Sequence, residues 1–301
     1  MSTPIKRTGH RYSDAATNTC IDVWFPRNNQ RIERSCLAAK VGLIKGDFVE
    51  VEIADLNEAP QTTEEAYLRL HLLSELEVAP NGQNLDGVFG LLNNVAWTTA
   101  GPVLPERVLE LRGKLAALDH HLGVPSIDKF PRMTDYVIPA EVRIGDADRV
   151  RLGAHLSPGT TVMHEGFVNF NAGSMGPCMI EGRVTPGVVV QADSDVGAGS
   201  SIMGTLSGGG KQINSIGSNT LLGANAGTGI SLGDNCVVEA GLYVTAGSRV
   251  TLQDGSVVKA AELSGQSGLL FRRNSVTGAI EAVSSQGVNW GGLNKDLHAS
   301  N

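Results

Sequence analysis

Cysteine is scarce in this chain. The four residues, Cys20, Cys36, Cys178 and Cys236, lie far apart and form no CxxC pair. Such spacing excludes a zinc ribbon and a disulfide framework, and it predicts reduced thiols in a cytoplasmic protein. Long apolar runs are missing too, so no segment reads as a membrane span. The opening Met1-Ser-Thr-Pro-Ile-Lys-Arg7 has none of the apolar core that a secretory signal needs. Positive charge is in deficit: 24 Lys and Arg stand against 31 Asp and Glu, for a formal net charge of −7. That balance argues against nucleic acid as a partner bound by bulk charge, while leaving room for a local basic pocket. Charged residues make up 18% and hydrophobic ones 41%, which excludes a disordered acidic protein.

Glycine is in excess, with 37 in 301 residues, against a typical usage of ~7%. These glycines sit among regularly spaced aliphatics, a pattern of tight corners. The length suffices for one large domain or two modest ones with real cores.

Residues 1–140 read as an α/β domain. From Phe48 to Ile53 the chain alternates, with Val49, Val51 and Ile53 on one face and Glu50 and Glu52 on the other, as a half-buried strand does. Thr62 and Glu65 have the spacing of a capping box for a helix running to about Val78, with Ala66, Leu70 and Leu73 as its apolar stripe. A second helix is predicted after Pro105, burying Val108, Leu111, Leu115, Leu118 and Leu122, and stopping at Gly123 and Pro125.

From about residue 141 the grammar changes. Ile144, Val150, Leu156, Val162 and Val168 recur at every sixth position. Four residues after each comes a short one: Asp148, Ala154, Thr160, Gly166 and Ala172. The spacing returns in Val184, Val190, Val196 and Ile202, in Ile216 and Leu222, and in Leu232, Val238, Val244 and Val250. Neither a helix nor an alternating strand has that period. A hexapeptide β-helix does, with about three hexads to each triangular coil and the aliphatic pointing inward. This domain is expected over 141–262. A C-terminal hairpin and tail are expected over 263–301, with strands within Leu269–Val283 around a turn near Gly278. The period breaks over about 174–183 and again over Met203–Ser215, and insertions at solenoid corners commonly build a binding face.

Glu181 and Arg183 fall in the first break. A carboxylate there can serve an incoming amine as base or attack a thioester itself, and a guanidinium can hold a substrate carboxylate. A plain surface salt bridge is the alternative. Asp148 and Glu165 are 17 positions apart, close to one coil of about 18 residues. They should lie nearly above one another, and stacked acids need a cation or a basic partner such as Arg149 or Arg151. Three copies about a threefold axis would bring six carboxylates to a Mg²⁺ or Ca²⁺ ion. Glu239 takes the position where glycine usually follows an anchor, either to hold backbone amides or to face a neighbouring subunit. His155 and His164 are too few for a β-helical zinc hydrolase, and His120-His121 reads as surface. Gly204 to Gln212 fails the spacing of a phosphate loop, since Gln212 stands where Ser or Thr must bind magnesium. Its glycines and Lys211 read as a flap.

Long literal strings go further than the repeat. Asp146 to Ala172, Met179-Ile-Glu-Gly-Arg183, Ser201 to Gly210, Leu222-Gly-Ala-Asn225, Val238 to Gly247 and Leu270-Phe-Arg-Arg-Asn-Ser275 resemble the second, longer type of the tetrahydrodipicolinate N-succinyltransferase family. In the head, Leu68 to Leu73, Asn84-Leu-Asp-Gly87 and Asp128-Lys-Phe-Pro-Arg132 do so too. The resemblance spans roughly residues 65–298. It implies a left-handed β-helix and a homotrimer with active sites between adjacent subunits. The implied reaction belongs to diaminopimelate and lysine biosynthesis. Succinyl-CoA gives its acyl group to the amino group of L-2-amino-6-oxoheptanedioate, the ring-opened acceptor. By the same resemblance Glu181 is the catalytic acid, as nucleophile or base, and Arg183 and Ser201 bind the dicarboxylate. Ala224, Glu239, Gly247, Lys259, Arg272, Arg273, Asn274 and Ser275 line the donor's track or the neighbouring site, and Asp148 and Glu165 hold the axial metal. Ala198 departs from the glycine expected there, and Gln191-Ala192 from an acidic-glycine turn.

Overall fold

The structure, a computed structural model, describes residues 4–288 and 290–293. It divides into two compact units. One takes in residues up to Val78, 82–131 and 135–137; the other takes in 79–81, 132–134 and everything from Ile138.

In the first unit, strand Ile5–Asp14 pairs antiparallel with Ile44–Ile53 and, on its other edge, with Cys20–Trp24. The predicted Phe48–Ile53 strand is thus the end of a longer one, with Glu50 and Glu52 exposed and Ile53 buried. Thr62 caps helix Thr63–Ser74 by accepting the Glu65 N–H at 3.1 Å, while the Glu65 carboxylate takes the Gln61 N–H at 3.0 Å. The helix stops short of Val78 because Leu76 turns left-handed, at φ 64°. Its core stripe is buried as expected. So is Arg69, which pairs with Glu65 at 2.8 Å and donates to the carbonyls of Leu56 and Asn84. After the 3-10 turn Pro105–Arg107 comes helix Val108–Ala116, which buries Leu111 and Leu115. Leu118 is 56% exposed, against expectation, because the helix has ended and Asp119 turns at φ 57°. His120 and His121 are exposed.

The second unit is built from parallel sheets on three sides. One side stacks Phe167–Val168, Arg183–Val184, Ser201–Ile202, Gly227–Thr228 and Tyr243–Val244. Another stacks His155–Leu156, Gly173–Ser174, Val189–Val190 and Ser215–Ile216. The third runs Arg143–Ile144, Thr161–Val162, Cys178–Ile180, Ser194–Val196, Leu221–Leu222 and Val237–Val238. Every sixth-position anchor from Val150 to Val250 is buried; Ile144, in the first strand, is half-buried.

The register corrects the reading of the first break. Residues 174–183 hold no insertion. Ser174 and Ile180 keep the six-residue step, with Ser174 in an anchor's place opposite Leu156 and Val190. Ser174 is fully buried, and its hydroxyl is satisfied by Thr160 at 2.6 Å. What changes is the next step, which runs from Ile180 to Val184. Val162 pairs with Ile180, 18 positions on, but Ile180 pairs with Val196, only 16 on. One corner, Glu181-Gly182, is two residues short. A second short step follows Thr228, which fills another anchor position and bonds the Ile230 carbonyl through its hydroxyl at 2.8 Å. The second break is an insertion: Val190 pairs with Ile216, 26 positions on, eight more than a full coil of 18. The added loop is a small hairpin in which Thr205 bridges Ile213 and the Ser207 hydroxyl accepts the Ala246 N–H.

Corners need left-handed backbone. Gly199, Asn225 and Gly241 stack on successive coils at φ 69°, 56° and 74°. Glycine adopts that region without cost and asparagine more readily than most, which accounts for part of the glycine excess. At the far end strand Leu269–Arg273 pairs parallel with Val237–Val238, then antiparallel with Ile280–Ser284, giving the predicted hairpin.

Candidate active site

Glu181 sits at the shortened corner, half-exposed. Its own N–H and that of Gly182 both donate to the Val196 carbonyl, at 2.8 and 3.0 Å, and its carbonyl accepts the Gly199 N–H at 3.3 Å. Gly182 is required by space. A Cβ there would run into the hydroxyl and, at 2.6 Å, the carbonyl of Ser200, which is buried. The corner therefore locks the Glu181 backbone against the coil above.

Arg183 begins the next strand, in register with Ser201, and its Nε and Nη2 reach the Ser201 hydroxyl at 3.2 and 2.8 Å. The two sequence-predicted residues thus meet directly. Further along this side Gly227 has no room for a side chain because the Tyr243 ring lies across it. Tyr243, 41% exposed, was not singled out from sequence.

Asp195 was also missed. It projects from the strand above Glu181, its Oδ1 is buried without a hydrogen-bond partner, and its carboxyl is pushed up to about 6. Burial is the main cause, and the nearby Glu181 charge adds to it.

The corner column continues upward. The Ala198 carbonyl accepts the Asn225 N–H and the Ala224 carbonyl accepts the Gly241 N–H, each at 2.8 Å. Glu239 takes the backbone N–H of Arg273 at 2.7 Å, so the acid at a glycine position has a main-chain role here. A concavity of about 280 Å³ opens beside it, lined by Glu239, Ala240, Gly241, Leu242, Arg273 and Ser275. Arg272 faces a different cavity, of about 520 Å³, because successive strand residues point to opposite faces. It pairs there with Glu281 at 2.9 Å. Asn274 bonds the same carboxylate at 2.7 Å, and the two together hold Glu281 below the usual carboxylate range. The strand Arg272 to Ser275 therefore does not serve one cavity. Gly247 and Lys259 lie close in the chain's course, through Ala261 N–H to the Ala246 carbonyl at 3.0 Å and Ala260 N–H to that of Ser248 at 2.9 Å.

Within one chain each of the two acids expected to hold a metal is paired with a basic neighbour. Asp148 pairs with Arg132 at 3.4 Å, and Glu165 with Arg149 at 3.2 Å and His164 at 2.8 Å. Among the described residues no group of three or more His, Cys, Asp or Glu side chains could hold an ion. The same residues form no membrane-spanning helix, and all four cysteines are free.

Residues 92–132 match the family described as "Tetrahydrodipicolinate N-succinyltransferase middle", and residues 213–246 match the "Hexapeptide repeat of succinyl-transferase". A 2,3,4,5-tetrahydropyridine-2,6-dicarboxylate N-succinyltransferase of Vibrio cholerae is 52% identical over 284 residues, covering 91% of this chain and 80% of its own. The chain belongs to the tetrahydrodipicolinate N-succinyltransferase family. The Pseudomonas aeruginosa protein of the same name is 54% identical over 279 residues, with 89% and 78% covered. A solved structure from Campylobacter jejuni, described as a candidate 2,3,4,5-tetrahydropyridine-2-carboxylate N-succinyltransferase, superposes with a TM-score of 0.82 at 31% identity, covering 95% and 93% of the two chains. The solenoid is accordingly the left-handed β-helix of this family's hexapeptide acyltransferases, preceded by an α/β region.

Proposed function

We infer that this member of the family moves the succinyl group of succinyl-CoA onto the amino group of L-2-amino-6-oxoheptanedioate. The products are CoA and N-succinyl-2-amino-6-oxopimelate, on the route to diaminopimelate and lysine. The observation that carries the reading is the shortened corner, where Glu181 is held by main-chain bonds beside the Arg183–Ser201 pair.

A thioester is already activated, so the protein has to orient the amine, take its proton and stabilise the oxyanion. Glu181 acts as the base. Its carboxylate takes a proton from the amine as nitrogen attacks the thioester carbonyl. The tetrahedral oxyanion then collapses, the C–S bond breaks, and the thiolate leaves with that proton. Arg183, steadied by Ser201, holds a substrate carboxylate. The concavity beside Glu239, Arg273 and Ser275 receives part of the CoA chain, with Ala224, Gly247 and Lys259 along the same track. Arg272 and Asn274, turned toward Glu281, keep that strand in shape.

The active unit is a homotrimer in the cytoplasm, its sites completed between subunits. A Mg²⁺ or Ca²⁺ ion on the trimer axis would take Asp148 and Glu165 from three copies, and each acid would first have to release its basic partner. No chemical step runs through it. The deciding assay follows free thiol from succinyl-CoA, with and without acceptor, for wild type and Glu181→Ala. Acceptor-dependent release that is lost in the variant supports the reading. Release from acetyl-CoA alone would leave a different acyltransferase. A burst of thiol without acceptor would make Glu181 the nucleophile. Light scattering should give three times 31.6 kDa.

A further inference from the structure

We propose that Asp195 is a positioning residue for Glu181: its unpartnered carboxylate, one coil above on the same outer face, favours the arrival of the amine's proton on Glu181. The inference rests on Glu181 being the base.

The geometry comes from strand register. Asp195 pairs with Met179 below and Leu221 above. Ile180 is an inward anchor, so Met179, itself nearly covered, takes the other side of the strand, the side from which Asp195 projects, and Glu181 follows at the half-exposed corner. The residue after Asp195 supplies the carbonyl that takes both amides of the shortened corner. The two missing residues thus draw Glu181 toward the Asp195 rung. Several other acids of this unit have partners: Asp148 has Arg132, Glu165 has Arg149, Glu239 has a backbone amide and Glu281 has Arg272. Among the described residues no cation pairs with Asp195, and its Oδ1 is buried and unbonded.

Few groups face it. The strand below brings Met179 and then Glu181, while the Cys178 thiol lies on the opposite side of that strand, pushed up to about 12 by burial and so neutral. The strand above brings only Leu221 and Leu222, and Asp193 stands on the same turn. Burial and the Glu181 charge push Asp195 up to about 6. A carboxylate that ionises there is charged at neutral pH and disfavours a second charge beside it. The neutral, protonated Glu181 formed during transfer is the state it favours.

The test is kcat/KM against pH for wild type, Asp195→Asn and Asp195→Ser, with thermal melts to establish that each is folded. Wild type should lose activity as pH falls through about 6. In Asp195→Asn that limb should vanish and activity at pH 7.5 should drop about tenfold, a fraction of what a positioned base contributes, with KM for succinyl-CoA unchanged. Asp195→Ser should behave alike. A limb near 6 that survives in either variant, or activity within twofold of wild type, overturns the proposal. If Glu181→Ala keeps its activity, the base assignment itself falls. If Glu181→Ala is dead while the Asp195 variants match wild type, only the present inference falls.

Discussion

The corner at Glu181-Gly182 and the loop at 203–214 both depart from the six-residue step, in opposite senses. The corner is two residues short, and the main chain absorbs the loss: two amides converge on one carbonyl and glycine becomes obligatory. The loop is eight residues long in excess, and the strands on either side pair as if it were absent. A solenoid tolerates additions at its corners because each coil touches only its neighbours. A deletion cannot loop out, so it is transmitted to the next coil. Glu181, the proposed base, stands at the deletion, where the backbone is fixed. The loop with Lys211 adds side chains without moving the stack.

Lengthening the corner should break this contrast most severely. Two residues inserted between Glu181 and Gly182 would restore the full step, and thiol release should fall at least about 10³-fold while circular dichroism still reports the β-helix. Gly182→Ala should cost about 10²-fold in activity through a misplaced acid and roughly 1–3 kcal/mol in urea denaturation through overpacking against Ser200. The loop should respond more mildly. Ser207→Ala leaves the Ala246 N–H without its bond, at about 1–2 kcal/mol, with kcat within threefold of wild type.

The smallest effect sharpens the comparison through pH. Asp195 ionises near 3.8 in an unfolded chain and about 6 in the folded one. Between those values the folded state binds more protons, so this group lowers stability as pH rises through the window. Asp195→Asn should therefore be more stable than wild type at pH 7.5, by about 1 kcal/mol after solvent screening. The difference should vanish below about pH 4, as read from denaturant midpoints.

Much of the solenoid was legible because a buried aliphatic at every sixth residue has no other common cause. Ser174 and Thr228 hid two anchors: each is polar, wholly buried and satisfied by a hydrogen bond, a case that hydrophobic periodicity does not count. That is why a two-residue deletion looked like a ten-residue break. The four-residue step from Ile180 to Val184 was visible in the spacing, once Ser174 is granted its place. Glu181 and Arg183 stood out by falling in the first break, literal strings gave them roles and added Ser201, and the register brings Arg183 and Ser201 together. Asp195 carries no such signal. An acid between two anchors looks like any solvated face, and only pairing across coils brings it beside Glu181. The end of helix Val108–Ala116 was missed because Leu118 continues the apolar spacing after the backbone has turned.

The hairpin that follows the coils has a consequence for assembly. A stack of parallel strands ends in a row of open amides and carbonyls, a template on which another chain can grow. Strand Leu269–Arg273 occupies that row, and Ile280–Ser284 then reverses direction. Arg249–Leu252 pairs parallel on its far side and Val257–Lys259 closes the sheet antiparallel, so the outermost strand is a poor match for the parallel start of another coil stack. Cut before residue 263, the chain would leave Val237–Val238 bare, and end-to-end fibres would compete with solubility.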